Sequence, residues 1–225
     1  SNRYYASSLN NLALLYYKMG RYETSKAYLI QTEAIWRKSL GVKHPDYTEC
    51  LNNLGLVYQQ MGQYELADSF LLEAKNIREQ LLGRFHPDYA ASVNNLAILY
   101  TQLGRFDAAA QFWAEAMNIT NTLLIQSARF LSAPELSAYV QLYQSQLDHY
   151  YSFALQTHGK LPAMNAGCYN NGLFHKGFLL NISSQICKIA ATDTLATEWN
   201  NLVKSYHRRL AVQYAKPIHQ RLEVE

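Results

Sequence analysis

The chain has 225 residues, 49% of them apolar and 16% charged, which excludes a disordered tail and leaves room for a sizeable core. Ten glycines and five prolines are too few for an all-β chain and suit long uninterrupted helices. The net charge of +3 gathers into no basic cluster beyond Arg208-Arg209, which argues against a nucleic-acid binder. The first predicted helix carries Leu9, Leu12, Ala13 and Tyr16 on one apolar face and ends at Gly20. A second helix is predicted over 22–40, with the small residue Ser25 where two helices must approach closely. Gly41 stops it, and His44-Pro45-Asp46 opens the next helix, with Pro in the first turn and Asp46 at the positive end of the dipole. Asp46 with Glu49 has the spacing of a capping box.

This pair of helices then recurs. Leu9-Asn10-Asn11-Leu12-Ala13 returns as Leu51-Asn52-Asn53-Leu54-Gly55 and as Val93-Asn94-Asn95-Leu96-Ala97, a period of 42. Met19-Gly20-Arg21-Tyr22 returns as Met61-Gly62-Gln63-Tyr64 and Leu103-Gly104-Arg105-Phe106, and His86-Pro87-Asp88-Tyr89 repeats His44-Pro45-Asp46-Tyr47. Residues 47–82 set against 89–124 share 15 of 36 positions without a gap. The units therefore span about 3–41, 45–83 and 87–124, making one region of 1–124 and a remainder of 125–225.

The pattern resembles the tetratricopeptide repeat, whose signature positions are filled by Leu12, Ala13, Tyr16, Ser25, Leu29 and Thr32. In the later units Leu54, Gly55, Tyr58, Ala67, Leu71 and Ala74, then Leu96, Ala97, Tyr100, Ala109, Trp113 and Ala116, fill them. A 42-residue unit carrying these Leu-Asn-Asn-Leu and His-Pro-Asp motifs is of the kinesin-light-chain type. The resemblance implies an all-α fold, a right-handed superhelix of three helix pairs, with the rest of the chain a C-terminal helical bundle extension. It implies a binding scaffold for a protein or peptide segment.

On the first helices, a stripe turned away from the core face runs through Ser7, Asn11, Leu14 and Lys18. Its equivalents are Glu49, Asn53, Leu56 and Gln60, then Ala91, Asn95, Ile98 and Gln102. Stacked repeats bring these stripes side by side on the concave surface. An amide row can hold an extended peptide backbone, since each amide both donates and accepts, while the aliphatic row receives side chains. The alternative is that the amides bond neighbouring helices and hold the superhelical pitch. Both readings stand at this point. The second amide row, Asn10, Asn52 and Asn94, is expected to be structural. Lys18 and Glu49 give the groove a mild charge, unlike a basic clamp for a terminal carboxylate.

After Leu124 the period breaks. Ser132-Ala133-Pro134-Glu135 is a helix start, and one helix is expected to 156, then helices at about 163–190 and 193–214. Phe130-Leu131-Ser132, the segment Lys176-Gly177-Phe178-Leu179-Leu180 beside Asn181, and the helix bearing Trp199 resemble bacterial TPR–CHAT proteins. There such a helical segment leads into a caspase-like peptidase domain. That resemblance implies that 125–225 is a capping or linker region, and that a partner of the groove is the chain's own C-terminal domain or another protein. A kinesin-light-chain-like adaptor without a peptidase is the other reading. No catalytic residue is assigned. Cys168 with His158 or His175 lacks the caspase context, Cys50, Cys168 and Cys187 form no CxxC pair, and no histidine spacing suggests a metal or cofactor. No apolar run spans a membrane, so a cytoplasmic, non-enzymatic module is expected.

Overall fold

The computed structural model describes residues 2–127, 133–157, 160–161, 164, 167–168, 170–171 and 174. Compactness divides the chain into Ser1–Asn171 and Gly172–Glu225, and every helix described below belongs to the former. Three helix pairs come first: α1 (Asn2–Lys18) with α2 (Tyr22–Ser39), α3 (Pro45–Gln60) with α4 (Tyr64–Leu82), and α5 (Pro87–Gln102) with α6 (Phe106–Ser127). Then come α7 (Ala133–Leu142) and α8 (Gln144–Gln156); no strand occurs among the described residues.

The turn inside each pair has one construction. Gly20 lies at φ 74°, its N–H donates to the Tyr17 carbonyl, and the Arg21 N–H reaches back to Tyr16. Those bonds satisfy the last carbonyls of α1, and only glycine takes that backbone conformation without strain. Gly62 and Gly104 repeat the geometry. Within each pair the helices meet at a small residue: Ser25, Ala67 and Ala109 are all fully buried. The Ser25 hydroxyl donates to the Ala13 carbonyl at 2.8 Å, so its polar atom costs nothing there. Gly55 marks the tightest approach, since a Cβ at that position would lie 2.6 Å from Leu71 Cγ. Ring pairs beside it lock the two helices: Tyr16–Tyr28, Tyr58–Phe70 and Tyr100–Phe112, with centroids 5.6, 5.4 and 5.2 Å apart.

Two expectations are corrected. The capping box is not formed: His44 is the N-cap of α3, its Nδ1 accepting from the Asp46 N–H at 3.1 Å. Glu49 instead accepts from the Asn10 amide at 3.3 Å. His86 caps α5 in the same way as His44 caps α3. The second helix of the third unit runs to Ser127, three residues beyond the point where the 42-residue period breaks, with Leu123 and Leu124 buried in its last turns. The single helix expected up to 156 is broken at Tyr143, whose N–H bonds to the Val140 carbonyl three residues back and tightens the turn. Beyond the break, Leu147, Tyr150, Phe153 and Ala154 of α8 are buried with Trp113 and Met117 of α6.

Of the helix expected over 163–190, only Met164, Gly167, Cys168, Asn170, Asn171 and Phe174 are described, all helical. The helix expected over 193–214, the segment 176–180, Ser132, His158, His175, Cys187 and Trp199 lie outside the described residues.

Candidate functional site

The first helices of successive units touch one another, α1 against α3 and α3 against α5, so they form the inner wall of the stack. The wall carries the predicted stripe. Asn11, Lys18, Glu49, Gln60, Ala91 and Gln102 are exposed, whereas Ser7, Leu14, Leu56, Asn95 and Ile98 are half-buried. Asn53 departs from the rest, being only 8% exposed.

The two amide rows are joined to each other. Asn53 Nδ2 donates to Asn10 Oδ1 at 3.3 Å, and Asn95 Nδ2 donates to Asn52 Oδ1 at 2.9 Å. Each bond spans 43 positions, one period plus one residue, so it ties the second amide of one unit to the first amide of the unit before. Gln59 Nε2 and Gln102 Oε1 make a third bond of that span at 2.7 Å. Asn53, Asn95 and Gln59 each use one donor in this way, Asn10, Asn52 and Gln102 each use an acceptor, and every amide keeps further capacity. At the end of the series Asn94 Oδ1 is buried with no partner among the described residues, and the sequence has Ser137 where the next amide would stand.

Beside the amides, Leu14 and Leu56 with Tyr17, Asn53 and Val57 line a small notch of about 20 Å³, its floor made by Ser25 and Leu29. Burial pushes the Tyr17 phenol up, and Gln60 hydrogen-bonds to it. The third aliphatic, Ile98, packs against the cluster that α8 completes, so α8 narrows the wall at that end.

A second series of concavities was not visible from the motifs. A cleft of about 570 Å³ lies between the α1–α2 turn and the next unit, lined by Gly20, Arg21, Tyr22, Glu23, Met61 and Gln63. One unit on, Gly62, Tyr64, Glu65, Asp68, Leu103 and Arg105 line a cleft of about 290 Å³. The signal was present in the glycine turns, each followed by an aromatic and an acid, but only the stacking turns these positions into walls.

No catalytic arrangement is formed by the cysteines described. Cys50 is fully buried and its thiol donates to the Leu29 carbonyl at 3.3 Å, while burial pushes its ionisation far up. Cys168 is half-buried and burial pushes it up as well, with Tyr150 as hydrogen-bond partner opposing that shift, so it is a thiol rather than a thiolate at neutral pH. Among the described residues no group of three His, Cys, Asp or Glu side chains can hold a metal ion, and no helix is long and apolar enough to cross a membrane.

Comparison with known proteins places this geometry. The chain is similar to BtubC (BKLC) from P. vanneervenii, with 20% identity and a TM-score of 0.52 over 72% of this chain and 68% of that one. It is similar too to a putative kinesin light chain with nearly identical TPR-like repeats from Podosopora anserina. There the identity is 20% over 85% of this chain and 97% of that one, with TM-scores of 0.51 and 0.50 against two crystal structures of that protein. At that identity the likeness concerns the fold. A search of curated proteins gives no significant match. The tetratricopeptide repeat model matches residues 4–80 and 47–122, more than half of the sequence, and the chain belongs to that family of helical repeat scaffolds.

Proposed function

We propose that the inner wall binds an extended peptide or protein segment without chemical change to it. The observation that carries this reading is the half-exposed aliphatic row, Leu14, Leu56 and Ile98, running beside the exposed polar side chains Asn11, Lys18, Glu49, Gln60 and Gln102. Apolar side chains of a ligand gain by covering the row, and amides next to it satisfy a backbone that the row alone would leave dry. Asn53 and Asn95 serve this wall chiefly by holding adjacent units in register, since both already donate across the unit boundary.

The binding partner is a segment of another protein or the C-terminal domain of the same protein. The similarity of the Lys176–Leu180 segment to TPR–CHAT proteins favours a scaffold that feeds a caspase-like domain. The kinesin-light-chain fold of the similar structures favours an adaptor with no peptidase. The reading frame downstream of Glu225 separates these two, because a His- and Cys-bearing α/β segment there is required by the first and foreign to the second. A cytoplasmic setting follows from either.

The wall itself is tested with a phage-displayed peptide library selected on the whole chain. Leu14→Glu with Leu56→Glu is expected to weaken selected peptides by about tenfold or more, since burying one leucine side chain is worth about 1.5–3 kcal/mol. The melting temperature is expected to move by only a few degrees, because both side chains are already partly in water. Unchanged peptide affinity in that variant removes the inner wall as the site.

A further inference from the structure

The notch between Leu14 and Leu56 is shaped for one kind of occupant. At about 20 Å³ it has room for a single water or a single methyl group. A water held there needs two or more polar partners, and each polar side chain around the notch already has a partner elsewhere. The Ser25 hydroxyl donates to the Ala13 carbonyl, the Tyr17 phenol is tied to Gln60, and Asn53 Nδ2 donates to Asn10. The rest of the lining is Leu14, Leu29, Leu56 and Val57, which a methyl group covers at a gain and a water does not.

One unit on, the same frame is built with different side chains. Leu99, fully buried, stands for Val57 and is one methylene larger, and Gln59 stands for Tyr17 and is drawn to Gln102 at 2.7 Å. The notch is thus a property of the side chains at the first unit boundary rather than of the repeat.

The charges of the wall lie on either side of it. Bonds of one offset, Arg3 to Asp46 and Asn10 to Asn53, show that α1 and α3 run parallel. Lys18 stands four residues past Leu14, about 6 Å along the helix, and Glu49 seven residues before Leu56, about 10 Å the other way. Both are exposed. Glu49 takes the Asn10 amide, whereas the nearby ion pairs, Lys26 with Glu23 and Arg3 with Asp46, leave Lys18 without one among the described residues. Lys18 is therefore open to a carboxylate brought by a ligand. An extended chain advances about 3.4 Å per residue, so a side chain about two positions from the notch reaches Lys18.

We propose, on the reading of the inner wall as a peptide site, that the notch selects an extended segment of another protein by a small aliphatic residue, alanine or valine, with an acidic residue two positions away on the Lys18 side. The notch sets the register of the segment and Lys18 sets which way it lies. Glu49 turns away a second acid on the opposite side.

The test measures binding of the whole chain to fluorescent ten-residue peptides in a serine and glutamine background. One position carries Gly, Ala, Val or Phe, and Glu stands two positions before or after it. Alanine is expected to bind about fourfold tighter than glycine, as one buried methyl should give, valine at least as tightly as alanine, and phenylalanine no tighter than glycine. Val57→Leu, which builds the larger side chain of the next unit into the notch, is expected to erase the gain of alanine over glycine. Lys18→Glu, a change at an exposed position, is expected to weaken the Glu peptide by about threefold and to favour a Lys peptide instead. The proposal is overturned if no peptide binds more tightly than the glycine one, if phenylalanine matches alanine, or if either variant leaves its preference intact. It is overturned too if residues 172–225, added as a separate polypeptide, displace the alanine peptide, or if that peptide dissociates a dimer of the chain. Peptides that resist Leu14→Glu with Leu56→Glu remove the inner wall itself as the site. Peptides that respond to that pair but are indifferent to alanine, valine and Lys18 keep the wall and remove only the selectivity of the notch.

Discussion

The α2–α3 and α4–α5 contacts occupy one backbone frame and fill it with opposite chemistry. Position 36 is Trp36, 2% exposed, sharing a cluster with Tyr47, Cys50 and Leu51. One period later the residue is Arg78, 6% exposed, and its guanidinium donates to Thr48 Oγ1 at 3.3 Å, the Asp88 carbonyl at 3.0 Å and Ser92 Oγ at 2.8 Å. None of those three acceptors is a carboxylate. Burial lowers the Arg78 pKa, opposed by the charges of Asp88 and Glu49, yet an arginine stays charged throughout the physiological range. The period thus specifies where a second helix meets the next first helix, while the side chains that fill the contact need only match each other. Trp36 goes with the Cys50 thiol, and Arg78 goes with the Ser92 hydroxyl.

The largest effect should come from emptying the aromatic contact. Trp36→Ala removes the bulkiest side chain between α2 and α3 and is expected to cost about 3–5 kcal/mol, read as a shift of the urea midpoint. A loss under about 1 kcal/mol would show that α2 and α3 close over the gap, and that Trp36 does not define the contact. The polar contact should respond to shape more than to charge. Arg78→Ala leaves a cavity and strips donors from Thr48, Ser92 and the Asp88 carbonyl, for an expected cost of about 2–3 kcal/mol. Arg78→Met keeps the volume and removes the desolvated charge, so it is expected to fall within about 1 kcal/mol of the parent. Equal losses in the two variants would mean that the guanidinium hydrogen bonds, not the filled volume, hold α4 to α5.

These contacts show what the sequence exposes and what it withholds. The Leu-Asn-Asn-Leu period and the glycine turns locate every helix of the three units, because local backbone chemistry sets them. Ser25, Ala67 and Ala109 mark the close approach for the same reason: a larger side chain has no room there. The amide pairing was half legible. The asparagines stand out in the repeats, but the offset of 43 positions that joins Asn53 to Asn10 depends on how far one unit is displaced against the next. No spacing within a unit records that displacement. The break at Tyr143 was hidden because both halves keep helical periodicity, and no spacing within 133–156 records that Tyr150 and Phe153 pack on Trp113. Arg78 was hidden for a third reason: an arginine in a helical pattern is ordinarily a solvated one.

Alkaline pH acts on both contacts at once and therefore measures how alike they are. Tyr47 and Tyr89 sit at equivalent positions, and burial is the main cause that raises both phenols above their ordinary value of 10.0. Each phenol also donates to a carboxylate that adds to the rise, Tyr47 to Glu33 at 3.0 Å and Tyr89 to Glu115 at 2.6 Å. At Tyr47 the hydrogen bond from Arg37 is the larger of these effects and opposes the rise, whereas at Tyr89 the opposing charge of Arg84 is the smallest of the causes. A phenol that is harder to ionise in the folded chain contributes stability that is fully present below pH 10 and is lost as pH climbs towards its folded value. Unfolding free energy measured by urea from pH 9 upward should therefore be level at first and then fall. Tyr89→Phe should flatten that fall more than Tyr47→Phe, because Arg37 relieves at Tyr47 what the carboxylates Glu33 and Glu115 impose on both. Equal flattening would mean that burial alone governs both phenols and that their charged neighbours act only as surface. A fall untouched by either variant would place the alkaline sensitivity elsewhere, with Tyr150, pushed up to about 12 beneath Trp113, as the next phenol to replace.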